Sequence, residues 1–390
     1  MQICEISKCT GCFACKNICP HDAISIITDV LGKTIPKVDE DKCIHCGVCQ
    51  KICPVNSAVS LNRADSAIAA ISRNERDVKS SSSGGIASVF SRKILLDGGI
   101  VFGCASGDGE ISQIKTNNLE DLELLRGSKY VYSATKATYK EAQSALRDGQ
   151  EVLYIGTPCQ IAGLKNFLRK DYEKLYTVDL ICHGTPPMEY LLQHTATKVK
   201  EKKWDKVTFR GERNFYLTIY SQEKPIYSQK SNRDLYFRAF LDGLTYRDNC
   251  YSCPYARPER CSDVTLGDFW GLDRTKLSME MAGRISVVLA NTEKGKELVE
   301  RCRQEIVMEE FPFETAVNPK QGNLQYPSKR HADRAVFEDV YKKKGFDAAV
   351  QATSIGATIK KEKANDRKRL PIQALKKCYH CFRRIFHRGK

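Results

Sequence analysis

Cys9-x-x-Cys12-x-x-Cys15-x-x-x-Cys19-Pro20, repeated as Cys43-x-x-Cys46-x-x-Cys49-x-x-x-Cys53-Pro54, is the stretch that decides how the first part of this chain folds. Two intervening residues let three sulfurs of one tight loop reach three corners of an iron–sulfur cube. A fourth thiolate, set before a proline, points across to the other cube. The pattern assigns one cluster to Cys9, Cys12, Cys15 and Cys53, and a second to Cys43, Cys46, Cys49 and Cys19. Zinc also takes Cys-x-x-Cys, but as two pairs, not as two runs of four that each end in Cys-Pro. A short strand is expected to close each half, at 24–27 and at 58–61. Cys4 has no partner by spacing and reads as a packed thiol.

This stretch resembles a two-cluster bacterial ferredoxin. It takes a small share of the 390 residues, and the rest is long enough to bury a core of its own. Met1-Gln2-Ile3-Cys4 has neither a basic start nor an apolar run, so no secretory signal is expected. No stretch approaches the roughly 18 apolar residues of a spanning helix. With eight of eighteen cysteines in cluster motifs, a reducing cytoplasm fits better than a disulfide scaffold. The net charge is +15, of which residues 360–390 carry +10, with twelve Lys/Arg against Glu362 and Asp366. The basic character belongs to the tail, and a nucleic-acid-binding body is not expected.

Past 63 the chain changes rhythm. Strands are expected at 66–71, 100–103, 151–155, 176–181 and 286–290. Helices are expected at 86–96, 139–146, 161–168, 189–200 and 293–305, with short alternating runs between 206 and 229. This predicts an α+β ferredoxin-like unit fused to an α/β domain with a largely parallel sheet and an antiparallel insert. The expected divisions are 1–62, 63–150, 151–345 and a basic tail, 346–390. The run Ser80-Ser81-Ser82-Ser83-Gly84-Gly85 before the first helix is either a flexible linker or a phosphate cradle at a helix N-terminus.

Three further sites sit in the α/β part. Gly156-Thr157-Pro158-Cys159-Gln160 lies between a strand and a helix, where ligands of open α/β sheets bind. Ile181-Cys182-His183-Gly184 ends the next strand. Cys250-x-x-Cys253-Pro254 precedes Cys261 and Gly267-Asp268-Phe269-Trp270-Gly271. Alone, that Cys-x-x-Cys fits zinc or redox chemistry as well as a cluster. His183 is a candidate proton donor or a structural histidine, and Phe269 and Trp270 read as core. Cys104 and Cys302, in a strand and a helix, read as buried inert thiols.

Together with Ser83-Gly84-Gly85-Ile86 and Gly127-Ser128-Lys129-Tyr130, these motifs are similar in order and spacing to the coenzyme F-420 hydrogenase/dehydrogenase beta-subunit family, over about residues 60–345. The resemblance implies a third 4Fe–4S cluster held by Cys159, Cys182, Cys250 and Cys253, with Cys261 as a substitute for one of them. It implies a flavin, usually FAD, near Ser83, Gly84, Gly85, Lys129, Tyr130 and Thr157. The implied activity is electron exchange between clusters, the flavin and a hydride carrier or other small substrate, with a redox protein as donor or acceptor. An electron-relay subunit without its own substrate, and a zinc-stabilised interaction module, are the rival readings.

In the tail, Pro371 opens an expected helix whose Ile372, Leu375, Tyr379, Phe382 and Phe386 form one apolar stripe among Lys and Arg. Such a helix suits an anionic membrane surface, which would make a cytoplasmic protein peripheral at the inner membrane face. Docking on the protein's own body is the alternative. Cys378 and Cys381 have no second pair nearby.

Overall fold

The computed structural model describes residues 1–199, 203–211 and 214–364. In the first unit, β1 (Ile24–Thr28) pairs antiparallel with β2 (Thr34–Val38), from Ile24 opposite Val38 to Thr28 opposite Thr34. Asp29 makes the turn: its Oδ1 accepts the backbone N–H groups of Leu31 and Lys33 at 2.9 and 2.8 Å. The second strand therefore lies between the two cysteine runs. Residues 58–61 form none, and only Asn62 makes a single bridge, to Arg260. A hairpin partner a few residues away costs less chain entropy than one a whole repeat away.

The body is mixed α/β. Its large sheet contains β3 (Ser66–Ser72), β4 (Ile100–Gly107), β5 (Glu110–Thr116), β6 (Val152–Gly156), β7 (Leu175–Leu180), β11 (Val264–Asp268), β12 (Ser286–Ala290) and β13 (Ile306–Pro312). A small antiparallel sheet of β8 (Lys206–Thr208), β9 (Tyr216–Ser221) and β10 (Lys224–Lys230) supplies the insert. The large sheet runs in the order β13-β3-β12-β11-β7-β6-β4-β5. Its centre is parallel, β4 to β6 to β7 to β11, and every other pairing is antiparallel. The expectation of a largely parallel sheet is corrected to a mixed one. β6 and β7, joined through the helix Pro158–Leu168, return parallel. The tight turn at Asp108 and Gly109, both at positive φ, leaves β5 no course but antiparallel to β4. Segments 63–150 and 151–345 both give strands to this one sheet.

Alternation along the central strands faces them into two cores. Val101, Leu153 and Val178 pack with Phe90 and Ile94 of the helix Ile86–Leu96. Phe102 and Tyr154 pack with Tyr139, Ile161 and Phe167 on the other face. The C-terminal segment is also part of the body. Phe346, Ala349, Val350, Ile355 and Ile359 are buried in the cluster that holds Tyr190, Tyr236 and Phe337. The packed body thus reaches at least Ile359, beyond the expected start of the tail at 346. The expected tail helix from Pro371, with Cys378 and Cys381, lies outside the described residues. Among the described residues no helix is long and apolar enough to cross a membrane.

Candidate functional site

Cys9, Cys12, Cys15 and Cys53 are all buried, and the charges of Cys12, Cys9 and Cys53 bear on Cys15. Backbone N–H groups face their sulfurs: Gly11 at Cys9, Ala14 at Cys12, Lys16 at Cys15 and Val55 at Cys53. Such N–H donors stabilise thiolates and tune any cluster they hold. Burial nonetheless pushes Cys12 up to about 12 and Cys15 well up. Cys4 lies closer than its spacing suggested. Its thiol hydrogen-bonds both Cys9 and Cys53, which holds them down to about 6 and about 7.

Cys19, Cys43, Cys46 and Cys49 line one cavity, with Ile44 and Lys42 at its wall. This set is the outer one: Cys46 is exposed, and Cys19 and Cys43 are half-buried. The inner set is instead stitched to the body through its own loop. The carbonyls of Cys9, Gly11 and Cys12 accept from Arg247 Nη2 (3.3 Å), Tyr132 Oη (2.7 Å) and Thr135 Oγ1 (3.0 Å). Asn17 Nδ2 donates to Lys136 O at 2.9 Å, and Asn166 Nδ2 to Ser57 O at 2.8 Å.

A third group of thiols gathers at the carboxyl ends of the parallel strands. Thr157 caps the helix Pro158–Leu168 in a reciprocal box with Gln160, and its Oγ1 stands 3.3 Å from Cys159 Sγ. Cys182 follows β7, and its sulfur accepts the Gly184 N–H at 3.4 Å. Cys250 and Cys253 arrive on the 3-10 turn Asp248–Ser252, which is fixed through Arg247 N–H to Thr185 O at 3.1 Å. Cys182 feels the charges of Cys250, Cys159 and Cys253. Burial holds Cys159, Cys250 and Cys253 up at about 11. Cys261 is turned aside: its thiol donates to Pro158 O at 3.3 Å beneath the buried Arg260–Asp179 pair. Among the described residues no three His, Cys, Asp or Glu side chains converge on a single metal ion. In a cube each thiolate binds a separate iron, so a cluster site differs from a single-ion site in its geometry. The burial, mutual proximity and N–H donors of these cysteines fit a cluster, whose iron would supply the drive to deprotonate them.

Beside this third group lies a polar cluster. Arg210 donates from Nε to Tyr130 Oη (2.8 Å), from Nη1 to Ser82 O (3.0 Å) and from Nη2 to Asp268 Oδ2 (2.6 Å). Arg284 reaches the same Ser82 carbonyl at 3.4 Å. The Tyr130 ring stacks on Phe240, 4.7 Å between centroids, and His183 lies 6.2 Å from Phe240. Lost hydration, then the Arg210 charge, hold His183 below its ordinary pKa.

The 80–85 loop is no free linker, and its expected phosphate donors are largely spent. Ser83 Oγ donates to Ile285 O at 3.1 Å, and the Gly84 N–H to Ser286 Oγ at 2.9 Å. Any Cβ at Gly84 would lie 2.4 Å from Ala70 O, so this glycine is required for close approach to β3. Gly85 starts the next helix at φ 84°, over the side chain of Asp77. Lys129 gives its three donors to the carbonyls of Cys104, Leu124 and Arg126 at 2.8, 2.9 and 3.0 Å. Burial holds its pKa down to about 8. Ser83 and Gly84 therefore do not fit a phosphate cradle, and Lys129 has its donors spent on carbonyls rather than turned to a flavin. Phe269 is core, whereas Trp270 is exposed, against the expectation that both are buried. Cys302 is fully buried, and Cys104 is half-buried.

Residues 149–316 match the model of the C-terminal part of the coenzyme F420 hydrogenase/dehydrogenase beta subunit. Residues 8–57 match the 4Fe–4S dicluster domain. Residues 149–316 belong to the coenzyme F420 hydrogenase/dehydrogenase beta-subunit family. No curated protein matches the chain. Among solved structures, a chain of the F420-reducing NiFe hydrogenase complex from Methanosarcina barkeri, studied by xenon derivatization, superposes with a TM-score of 0.44 at 17% identity. The match covers 74% of this chain and 91% of that one.

The beta-subunit family is an oxidoreductase family, and the dicluster domain in front of it is an iron–sulfur domain. Inside the matched segment lie Cys159, Cys182, His183, Cys250, Cys253 and Asp268. Arg210, Arg247 and Arg284 also lie there, and no sequence signal marked them. Each is a single arginine far from its partners in the chain. Only Arg247, three residues before Cys250, had a motif near enough to draw notice.

Proposed function

We propose that this chain is an iron–sulfur electron carrier with three 4Fe–4S clusters in line. The outer cluster would be held by Cys19, Cys43, Cys46 and Cys49, the inner one by Cys9, Cys12, Cys15 and Cys53. The third would be held by Cys159, Cys182, Cys250 and Cys253. The observation that carries this reading is the contact of Cys12 with the helix Pro158–Leu168. A Cβ at Gly163 would lie 2.8 Å from Cys12 Sγ, and Cys159 stands four residues earlier on the same helix, about 6 Å along its axis. Cys46 of the outer group is exposed, which is where a redox protein could dock, and the four inner cysteines are buried. Each transfer would oxidise one cluster and reduce the next by one electron.

The cluster of Tyr130, His183, Arg210 and Asp268, which adjoins Cys182 through His183, is the proposed end of the line. A flavin bound there would convert single electrons into hydride pairs for a carrier of the coenzyme F420 type or another small substrate. Arg210, paired there with Asp268, and His183, whose side chain is exposed and which the Arg210 charge helps hold below its ordinary pKa, would supply the polar contacts and a proton carrier. The spent donors of Ser83, Gly84 and Lys129 favour a second reading, a relay subunit that hands electrons from the third cluster to a partner. An anaerobic inventory of the pure chain separates the two. About one acid-released FAD per chain supports the flavoprotein, and its absence with all iron present supports the relay. Zinc in place of iron would sink both and leave an interaction module.

A further inference from the structure

We infer that Arg247 is a fixed buried cation that couples the inner cluster of the ferredoxin unit to the third cluster and raises the reduction potential of both. This inference rests on the three-cluster reading above. Arg247 is 2% exposed. Its Nη2 donates to Cys9 O at 3.3 Å and to Thr34 O at 3.1 Å, and Nη1 lies 3.5 Å from Thr34 Oγ1. Its own carbonyl accepts the Cys250 N–H at 3.0 Å. One residue therefore touches the first ligand loop of the inner cluster with its side chain and the Cys-x-x-Cys turn of the third with its backbone. Its guanidinium lies 5.1 Å from the ring centroid of Tyr132, whose hydroxyl holds Gly11 in the same loop.

The charge has no carboxylate to meet it. Its neighbour Asp248 pairs with Lys33 at 2.5 Å and faces Arg330 and Arg334, and among the described residues no acid pairs with Arg247. Its Nε has no hydrogen-bond partner. A buried unpaired cation costs several kcal/mol, so it persists where another negative charge stands close. The nearest source is the two ligand loops: the Arg247 side chain donates to Cys9 O and its carbonyl accepts the Cys250 N–H, so the charge of a cluster in either loop would lie close to it. Each electron added to either cluster adds negative charge in reach of this cation, which favours the reduced form. Among the described residues the side-chain hydrogen bonds of Arg247 go to Cys9 and Thr34, and none goes to Cys19, Cys43, Cys46 or Cys49. The effect is thus to draw electrons inward.

The test is an anaerobic redox titration of the full chain followed by electron paramagnetic resonance, with iron counted in every sample. Two neutral variants, Arg247→Met and Arg247→Gln, are compared with Arg247→Lys. Expected is a shift of two of the three midpoints to more negative values in both neutral variants, by at least the 59 mV that equals a tenfold change for one electron. The outer midpoint should hold, and Arg247→Lys should keep most of the original values. Loss of iron from the neutral variants alone, with Arg247→Lys intact, also supports a role of charge. Unmoved midpoints, equal shifts of all three, or iron loss from all three variants would overturn it. The three-cluster reading fails separately, on the unsubstituted chain, if that chain holds about eight iron, and the inference falls with it.

Discussion

The Cys12 thiol rests against the backbone of Gly163. A methyl group built at Gly163 would stand 2.8 Å from Cys12 Sγ and 3.0 Å from Tyr139 Oη. Glycine at this helix position lets the inner cysteine loop lie on the helix that begins with Cys159. Gly163→Ala is expected to cost about 1–3 kcal/mol through overpacking and to slow electron arrival at the third cluster. Thermal denaturation and single-turnover reduction read the two effects. Wild-type values for both would mean that the contact is not a route.

Anaerobic reconstitution should yield about 12 iron and 12 sulfide per chain, four for each group of four cysteines. Cys159→Ala should lower this to about eight and spare both ferredoxin signals. Cys261→Ala should leave it at about 12, because that thiol is spent on Pro158 O. Iron loss on Cys261→Ala with none on Cys159→Ala would exchange their roles.

Lys129→Met leaves three carbonyls without their donor, at about 1–3 kcal/mol for each one left dry, and should lower thermal stability without changing flavin per folded chain. Arg210→Gln should do the reverse, losing flavin at unchanged iron. Flavin loss from Lys129→Met in a fully folded, fully iron-loaded sample would restore a flavin-binding role to Lys129.

His194 is buried between Asp234 (2.9 Å from Nε2) and Asp347 (2.5 Å from Nδ1). Lys198 pairs with the other oxygen of Asp347, and Tyr227 donates to Asp234. Burial lowers the pKa of His194, but the two carboxylates outweigh this and raise it to about 9. A pKa higher in the folded than in the unfolded chain stabilises fully below pH 6.5, the unfolded value, and is lost as pH rises to about 9. The amount is on the order of 3 kcal/mol. Denaturant melts should therefore lose stability between pH 6.5 and 9, and His194→Gln should flatten that decline. An equal slope in the variant would assign the titration elsewhere.

A chain ending at Ala364 keeps Ile355 and Ile359 in the core and should melt like the full chain. If the segment from Pro371 binds an anionic membrane surface, only the full chain should pellet with anionic vesicles at low salt and be released at high salt. Equal behaviour of the two chains would remove the membrane reading.

The sequence by itself determined the iron–sulfur unit, because ligand spacing in one tight loop is a local constraint that no distant contact can alter. It also determined most strands and helices around the sheet centre, where period and glycine punctuation agree, as at Gly98-Gly99. The antiparallel flanks were decided only in three dimensions, since β3 is bracketed by β12 and β13 from more than two hundred residues away. The fate of polar side chains was decided there too. Gly84 looked like part of a phosphate cradle and Lys129 like a flavin neighbour, but Ser286 and three carbonyls take their donors. Arg247 looked like any other arginine until folding buried it between two groups of thiols. A donor or a charge acquires its role from the partners that packing brings to it, and those partners are not neighbours in the chain.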